Sequence, residues 1–474
     1  MTTGIEKNQI PKHIQHIHLI AVCGTGMGAL ACILKELGYQ VTGSDQHVYP
    51  PMSTFLNEKG ISLSKGFCPE NLAYGPDLVV VGNAVSMDNP EVVEMHRMGL
   101  FFCSMPQAVN AFAGKGKQTI LVTGTHGKTT TSSLVAWLLH SAGLGTSYVI
   151  GGILANFNSN YFLGAGDYLV VEGDEYDTAY FDKGPKFLHY DPTIAVLTSV
   201  EFDHADIFRD LNHIKQAFST FVSGLSSDAA LVAYQHDSNV DHVIQTASCN
   251  VVRYGKEEGD WAVKPIRIDP PWTIFDVYKA HGFYGRFQTP LPGEHNLSNT
   301  LAAIAVADRL NIPKRTIQKA LKTFKGVKRR QEIRGTKNGI VVIDDFAHHP
   351  TAVKKTIQAI KGYYRKSRLI AVFEPRTNTS MRNIFQNVYP DSFEDADRIC
   401  IRKPALLKKI PPNERFSSER LVDDLKKRGL DAICFENTDA IVDFLTQAAR
   451  PGDVILVMSN GGFDNIHERL LESL

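Results

Sequence analysis

The feature that most constrains the fold is a short glycine loop between an apolar strand and an amphipathic helix. Residues 124–129 read GTHGKT, follow the apolar run TILVT and precede a helix with apolar residues at Leu134, Val135, Leu138 and Leu139. The loop has two residues between its glycines, whereas a strict P-loop has four. Glycine amides still cradle phosphate oxygens, a lysine neutralises their charge and a threonine hydroxyl binds Mg²⁺. We therefore predict a nucleoside triphosphate site rather than an empty βα turn. Its predicted residues are Gly124, Thr125, His126, Gly127, Lys128, Thr129 and Thr130.

Two further apolar runs end in glycine-rich turns, so strand, turn and helix form the recurrent unit of the chain. Residues 17–23 precede GTGMG, and residues 454–458 precede SNGG. Such units build doubly wound parallel sheets, in which ligands bind beyond the carboxyl ends of the strands. A chain of 474 residues predicts about three domains. We predict an α/β protein with a Rossmann-like domain over 1–113, a P-loop-type mononucleotide-binding domain over 114–326 and a Rossmann-like domain over 327–474.

The glycine loop near the N-terminus has the pattern G-x-G-x-x-A. It spans Gly24–Ala29, and Asp45 ends the next apparent strand. Glycine amides at a helix N-terminus bind a diphosphate, and a carboxylate accepts hydrogen bonds from ribose hydroxyls. In isolation the pattern favours a dinucleotide such as NAD, which makes an NAD-dependent dehydrogenase one hypothesis. A tight turn without a ligand is the other interpretation.

Clusters of acidic residues follow two other predicted strands. EGDEYD occupies 172–177 and EFDH occupies 201–204. Because carboxyl ends of parallel strands meet at one sheet edge, these carboxylates suit a Mg²⁺ beside ATP, although solvated acidic loops are the alternative. GEHNLSN at 293–299 caps a helix or holds an adenine. DDFAHHP at 344–350 follows another strand, and an acidic turn is its alternative interpretation.

Charge and hydropathy exclude several classes of protein. Fifty basic and fifty acidic residues give a formal net charge of zero, so no basic surplus indicates nucleic acid or an anionic membrane as partner. No apolar run approaches the ~20 residues that span a bilayer, and the polar N-terminus lacks a signal-peptide layout. Seven scattered cysteines include no Cys-x-x-Cys pair, which is typical of a reduced compartment. We therefore expect a cytoplasmic enzyme.

The motifs GTHGKTT, EGDE, FDH, GEHNLSN and DDFAHHP, in this order, resemble those of the Mur ligases, the ATP-dependent amide-bond-forming enzymes of peptidoglycan metabolism. The resemblance covers essentially the whole chain and implies three domains with a central ATPase. It also implies that the first glycine loop holds the UDP part of a sugar nucleotide, whose diphosphate meets the same helix N-terminus. The family chemistry transfers the γ-phosphate of ATP to a lactyl carboxylate, and an amine then attacks the resulting acyl phosphate.

Two branches of the family fit the N-terminal GTGMGAL and GSD, because both take UDP-N-acetylmuramate directly. One branch adds L-alanine, and the other adds the recycled tripeptide L-alanyl-γ-D-glutamyl-meso-diaminopimelate. EGDEYDTAYFDKGPKF, SVEFDHADIF, FEPRTNT and MSNGGFDNIH are similar to the tripeptide branch, which we favour. We expect UDP-N-acetylmuramate and the murein tripeptide as substrates, ATP and Mg²⁺ as cofactors, and a monomer or weak homodimer.

The resemblance also implies roles for individual residues, and the chain departs from the family pattern at two places. Ser199 stands where asparagine is common, and 216–226 lacks the lysine that several members carry in carbamylated form. The implied Mg²⁺ ligands are Thr129, Glu172 and His204. The implied catalytic residues are Lys128, His204, Asp345, His348 and Arg376. Further implied nucleotide contacts are His295, Asn296, Asn299, Arg330 and Asp345. The implied UDP contacts are Gly24, Thr25, Gly26, Met27, Gly28, Ser44, Asp45 and Asn83.

Overall fold

The computed structural model describes residues 7–48, 52–405 and 410–474. The chain divides into two compact units. The first unit holds the described residues up to Val200 together with Asn212–Tyr254 and Ala302–Ala320. The second holds Glu201–Leu211, Gly255–Leu301 and the described residues of Leu321–Leu474. The boundaries predicted near 113 and 326 remain predictions.

The first unit begins with a five-stranded parallel sheet in the order β3-β2-β1-β4-β5. Its central strands are apolar because parallel strands are covered on both faces, and all four residues of Leu78–Val81 are fully buried. The strand order reverses between β1 and β4, which opens a crevice beyond their carboxyl ends. The strands are β1 (His16–Ile20), β2 (Gln40–Asp45), β3 (Ser62–Lys65), β4 (Leu78–Val81) and β5 (Phe102–Ser104), and the helices are α1 (Thr25–Glu36), α2 (Met52–Glu58), α3 (Pro90–Met98) and α4 (Met105–Ala108).

The same unit contains strands of a second sheet, and the central glycine loop follows one of them. Strands β14, β13, β12, β6, β9, β7 and β8 lie side by side in that order, and only the β7–β8 pair is antiparallel. Strand β6 therefore lies between β9 and β12, which brings both acidic segments' strands next to the glycine loop. The elements are β6 (Gln118–Thr123), α5 (Lys128–Ser141), β7 (Ser147–Leu154), β8 (Ser159–Phe162), β9 (Tyr168–Gly173), β10 (Asp177–Ala179), β11 (Asp182–Pro185), β12 (Pro192–Leu197), α6 (Leu211–Ser223), β13 (Ala230–Tyr234), α7 (Ser238–Ile244) and β14 (Asn250–Lys256).

The second unit contains an antiparallel meander, β15 to β17, and a six-stranded sheet in the order β18-β19-β23-β20-β21-β22. Only β18 runs antiparallel in that sheet. The remaining elements, of which α8 and α9 belong partly to the first unit, are β15 (Trp261–Asp269), β16 (Trp272–Lys279), β17 (Gly282–Thr289), α8 (Glu294–Arg309), α9 (Lys314–Thr323), β18 (Glu332–Lys337), β19 (Ile340–Asp345), α10 (Pro350–Tyr363), β20 (Leu369–Phe373), β21 (Arg398–Arg402), α11 (Ser418–Lys427), β22 (Ala432–Phe435), α12 (Thr438–Ala448), β23 (Val454–Met458) and α13 (Ile466–Ser473).

The three central strands of this sheet deliver polar residues to one edge. Asp345 ends β19, Ser459 follows β23 and Glu374 follows β20. All three residues are buried, at 5%, 2% and 1% exposure. The apolar cores on the two faces of the sheet hold the strands in register, so these side chains are fixed by packing.

The predicted α/β class with parallel sheets is confirmed. A search of the helices in the described ranges finds no candidate membrane span. All seven cysteines are free thiols.

Candidate active site

A cavity of about 550 Å³ lies beyond the carboxyl ends of β1, β2 and β4, at the point where the strand order reverses. Four of the eight predicted UDP contacts line it, namely Gly24, Met27, Asp45 and Asn83. Asp45 braces the loop, because its carboxylate accepts from the Cys23 amide at 3.0 Å and the His47 amide at 2.9 Å.

The other four predicted UDP contacts are not among the residues that line the cavity. Thr25, Gly26 and Gly28 form the first turn of α1, whose N-cap is Gly24. Ser44 is fully buried, and its hydroxyl donates to Glu91 at 2.5 Å. The loop and α1 are arranged as predicted, but Ser44 contacts the protein interior.

The central glycine loop connects β6 to α5 and needs glycine at its first position. Gly124 has a φ of 121°, and a Cβ there would lie 2.3 Å from Thr198 Oγ1. Gly127 has a φ of 83° and is the N-cap of α5. Lys128 and Thr129 therefore begin a helix of 14 residues, with its positive dipole end directed at the loop.

The loop backbone is held by Ser199, the residue that departs from the family pattern. The Ser199 hydroxyl accepts from the His126 amide at 3.0 Å, and the Ser199 carbonyl accepts from the Thr125 amide at 3.0 Å. The role of Ser199, which the sequence left open, is thus to bind two amides of the glycine loop.

Lys128 contacts the loop and an acidic partner at the same time. Its ammonium donates to the Gly124 carbonyl at 2.7 Å and to Glu175 Oε2 at 2.8 Å. Burial lowers the pKa of Lys128, but Glu175, Asp174 and Glu172 outweigh burial and leave the pKa above its ordinary value. The lysine is consequently charged at neutral pH, as phosphate binding requires.

Glu172 lies beside the start of α5, in the place the sequence predicted for a metal ligand. Thr129 Oγ1 donates to Glu172 Oε2 at 3.1 Å, and the Gly151 amide donates to Glu172 Oε1 at 2.8 Å. A hydroxyl and a carboxylate this close, next to a phosphate loop, form the oxygen donor set that Mg²⁺ prefers. The predicted neighbour Thr130 lies buried on the same helix.

In the second unit, the predicted adenine residues gather around Gln331. The Gln331 side-chain carbonyl accepts from Asn296 Nδ2 at 3.1 Å, and its amide nitrogen lies 3.2 Å from His295 Nε2. Asn299 Nδ2 donates to Asn296 Oδ1 at 3.4 Å. The Gln331 backbone amide donates to Asp345 at 2.8 Å, which joins the two predicted motifs.

Asp345 accepts a hydrogen bond from its own loop. Its Oδ1 atom accepts from the Ala347 amide at 2.8 Å, and burial raises its pKa above the ordinary value. Arg330 lies over the Phe346 ring, 4.6 Å from its centroid. The predicted nucleotide contacts Arg330 and Asp345 therefore flank one loop.

Segment 201–206 packs against the DDFAHHP loop within the second unit. Thr351 Oγ1 donates to Glu201 Oε2 at 2.6 Å, and His349 Nε2 donates to the Phe202 carbonyl at 3.1 Å. His348 Nε2 lies 3.7 Å from Asp203 Oδ2. Burial raises the pKa of Asp203, but His348, His204 and His349 hold it well below its usual range. The predicted catalytic residues His204 and His348 therefore both adjoin Asp203, His204 through its backbone amide, which donates to Asp203 Oδ1 at 2.7 Å.

Arg376 follows β20 and lies against the turn after β23. Its guanidinium is 3.5 Å from Glu374 Oε1, and a Cβ at Gly461 would lie 2.2 Å from Arg376 Cδ. Glu374 also accepts from Ser459 Oγ at 2.6 Å and pairs with Arg402. Gly461 therefore leaves free the space that the Arg376 side chain occupies.

Sequence reasoning missed three residues of these clusters: Glu175, Gln331 and Glu374. Glu175 lies inside the quoted EGDE motif, so its position in an acidic cluster beside a lysine loop was an available signal. Gln331 directly follows Arg330, but no pattern connects a glutamine with a helix that begins 37 residues earlier. Glu374 lies in the quoted FEPRTNT segment, and only the sheet order brings it to Ser459.

Family comparisons cover all three predicted regions. Residues 16–116 match the model of the Mur ligase family, catalytic domain, residues 122–307 match the Mur ligase middle domain, and residues 329–461 match the Mur ligase, glutamate ligase domain.

Curated relatives and a solved structure match almost the entire chain. UDP-N-acetylmuramate–L-alanyl-γ-D-glutamyl-meso-2,6-diaminoheptandioate ligase of Escherichia coli K12 is 39% identical over 97% of this chain and 98% of that protein. UDP-N-acetylmuramate–L-alanine ligase of Clostridium tetani is 34% identical over 95% of this chain and 96% of that protein. The crystal structure of a murein peptide ligase from Psychrobacter arcticus is 34% identical, covers 97% of this chain and 98% of that chain, and has a TM-score of 0.71.

Proposed function

Because the chain belongs to the Mur ligase family, we propose that it is the ADP-forming ligase that joins L-alanyl-γ-D-glutamyl-meso-diaminopimelate to UDP-N-acetylmuramate. The observation that carries the substrate assignment is the 39% identity to the tripeptide ligase of Escherichia coli over nearly the full length of both chains. The alternative within the family is the L-alanine-adding reaction, supported by the relative at 34% identity.

The described residues fit ATP and Mg²⁺. Residues 124–130 would hold the phosphates, and Thr129 with Glu172 would supply oxygen ligands, since these two side chains lie 3.1 Å apart. When bound, ATP supplies the phosphoryl group that activates the lactyl carboxylate, and Mg²⁺ screens the repulsion between the two anions. His204 is the proposed ligand of a second Mg²⁺. A neutral imidazole can serve as that ligand, although oxygen is the commoner choice for Mg²⁺.

The chain's own groups bind and orient the substrates. Lys128 places a positive charge at the mouth of the loop, where negative charge accumulates during phosphoryl transfer. The cavity lined by Gly24, Asp45 and Asn83 is the proposed UDP site, and its position at the strand-order reversal suits a diphosphate. Arg376 is the proposed holder of a carboxylate of the amino substrate.

The NAD-dependent dehydrogenase hypothesis rested on the first glycine loop alone. Residues 16–116, which contain that loop, match the Mur ligase family model. This match supports the proposal that the loop serves a sugar nucleotide rather than NAD. The expected cytoplasmic location and monomeric or weakly dimeric state remain predictions.

The proposal is tested by measuring ADP release with UDP-N-acetylmuramate, ATP and Mg²⁺, with either the tripeptide or free L-alanine as acceptor. We expect turnover with the tripeptide and little with alanine. Strong turnover with alanine alone would move the chain to the biosynthetic branch. Omission of UDP-N-acetylmuramate is the control, because ADP release without it would indicate an unrelated ATPase.

A further inference from the structure

We propose that Glu91 is a positioning residue that sets the shape of the UDP cavity, an inference that rests on the proposed function. Glu91 is fully buried although it is a carboxylate, and it follows Asn89 and Pro90, which line the cavity. Glu91 itself is not among the residues that line the cavity. Burying a carboxylate is unfavourable unless hydrogen bonds replace its water, so its partners show what it holds.

The carboxylate of Glu91 binds three segments that are distant in the sequence. Its Oε2 atom accepts from the Ser44 hydroxyl at 2.5 Å and lies 3.4 Å from His18 Nε2. Its Oε1 atom accepts from Asn71 Nδ2 at 2.5 Å and from the Cys68 amide at 3.4 Å. Each carboxylate oxygen therefore accepts at least one hydrogen bond from another segment.

Two of these partners adjoin residues that line the cavity. Ser44 precedes Asp45, and Cys68 follows Phe67. On the third side, the Glu91 amide donates to the Asn89 side chain at 2.9 Å, which fixes the start of α3. One buried carboxylate thus connects the end of β2, the segment after β3 and the N-terminus of α3, which form three walls of the cavity.

A neutral amide of the same size keeps the shape of these contacts but weakens them. The Asn71 side-chain nitrogen and the Cys68 backbone amide can only donate, so the Oε1 position must accept, whereas the Ser44 hydroxyl and the His18 imidazole can donate or accept. In Glu91→Gln, the NH₂ group therefore takes the Oε2 position, and the charge that strengthens all of these hydrogen bonds is lost. The volume is kept, but the three wall segments are held together less tightly.

The test measures steady-state kinetics of Glu91→Gln with all three substrates, together with calorimetric binding of UDP alone. We expect the KM for UDP-N-acetylmuramate and the Kd for UDP to rise about tenfold, since strong hydrogen bonds to a charged group are replaced by weaker ones to a neutral group. The KM for ATP and kcat should stay within about twofold. Glu94→Gln, on the same helix with its carboxylate on Arg97, is the matched control and should leave all constants unchanged.

Asn71→Ala is the second variant, because it removes one donor to Glu91 and leaves the carboxylate in place. It should raise the Kd for UDP by a smaller factor and keeps the inference testable if Glu91→Gln does not fold. An unchanged Kd for UDP in the folded variants, or an equal rise in the KM for ATP, would overturn the role of Glu91. Failure of the wild-type protein to use UDP-N-acetylmuramate would instead overturn the proposed function.

Discussion

The ammonium of Lys128 lies 2.8 Å from Oε2 of Glu175, a carboxylate that is 1% exposed. The lysine of the phosphate loop is thus already paired with a carboxylate of its own chain. An incoming phosphate has to share the Lys128 ammonium with Glu175 or displace the Glu175 carboxylate from it. The pair keeps the lysine charged and directed at the loop, where it also contacts the Gly124 carbonyl.

Lys128→Ala should lower kcat by about 10²–10³, the cost of removing a charge that stabilises a transition state. It should also lower the free energy of unfolding by about 3–5 kcal/mol, because Glu175 is left buried without its cation. The double variant Lys128→Met/Glu175→Gln should regain stability without regaining activity. ADP release and thermal denaturation measure the two effects, and a double variant that regained turnover would contradict the role of Lys128.

Ser199→Ala should raise the KM for ATP by about 2- to 10-fold, because the His126 amide loses a hydrogen bond with a net value of about 0.5–1.5 kcal/mol. The KM for UDP-N-acetylmuramate should not change. Ser199→Thr, which retains the hydroxyl, is the control. Identical kinetics for the Ala and Thr variants would show that the hydroxyl does not position the loop.

Thr129→Val should raise the Mg²⁺ concentration for half-maximal activity by about tenfold, since a ligand oxygen is lost. Thr131→Val is its matched control, because the Thr131 hydroxyl is buried with no hydrogen-bond partner among the residues that the structure describes. EDTA should abolish ADP release by the wild-type protein, and added Mg²⁺ should restore it. A similar Mg²⁺ shift in both variants would argue against Thr129 as a ligand.

Asp344→Asn should destabilise the protein most at neutral pH. Burial raises the pKa of Asp344, but His467, Arg329 and Arg334 outweigh it and hold the pKa below its ordinary value. Its stabilising contribution is therefore complete above the unfolded-state pKa of 3.8 and is lost as pH falls through the lower folded-state pKa.

The expected loss in the free energy of unfolding at pH 7 is about 1–3 kcal/mol, the cost of leaving buried partners unsatisfied. Denaturation of wild type and Asp344→Asn at pH 7 and below pH 4 measures it, and the difference should shrink in acid. Asp439→Asn, at an exposed ion pair with Arg469, should have little effect at either pH. A difference that did not depend on pH would contradict the ionised state of Asp344.

The local features of the site were predictable because they depend on neighbours in the sequence. Gly124 and Gly127 precede a helix that begins at Lys128, as the strand, turn and helix pattern predicts. Four of the eight UDP contacts that the family resemblance implied line the cavity, because they belong to the glycine loop or follow the ends of strands. The resemblance also implied Ser44, but its hydroxyl points to Glu91 instead.

The amino-acid sequence by itself determined the α/β class, the glycine loops and the polar residues that lie at strand ends, because short-range periodicity and backbone conformation fix them. Only the tertiary structure decided which side chains hold those loops. Glu175 meets Lys128 across 47 residues, and Ser199 meets His126 across 73. These pairs exist because β9 and β12 flank β6, and strand order is set by packing of the whole sheet. A buried hydrogen bond therefore depends on the assembled sheet, whereas a glycine turn depends only on its own backbone.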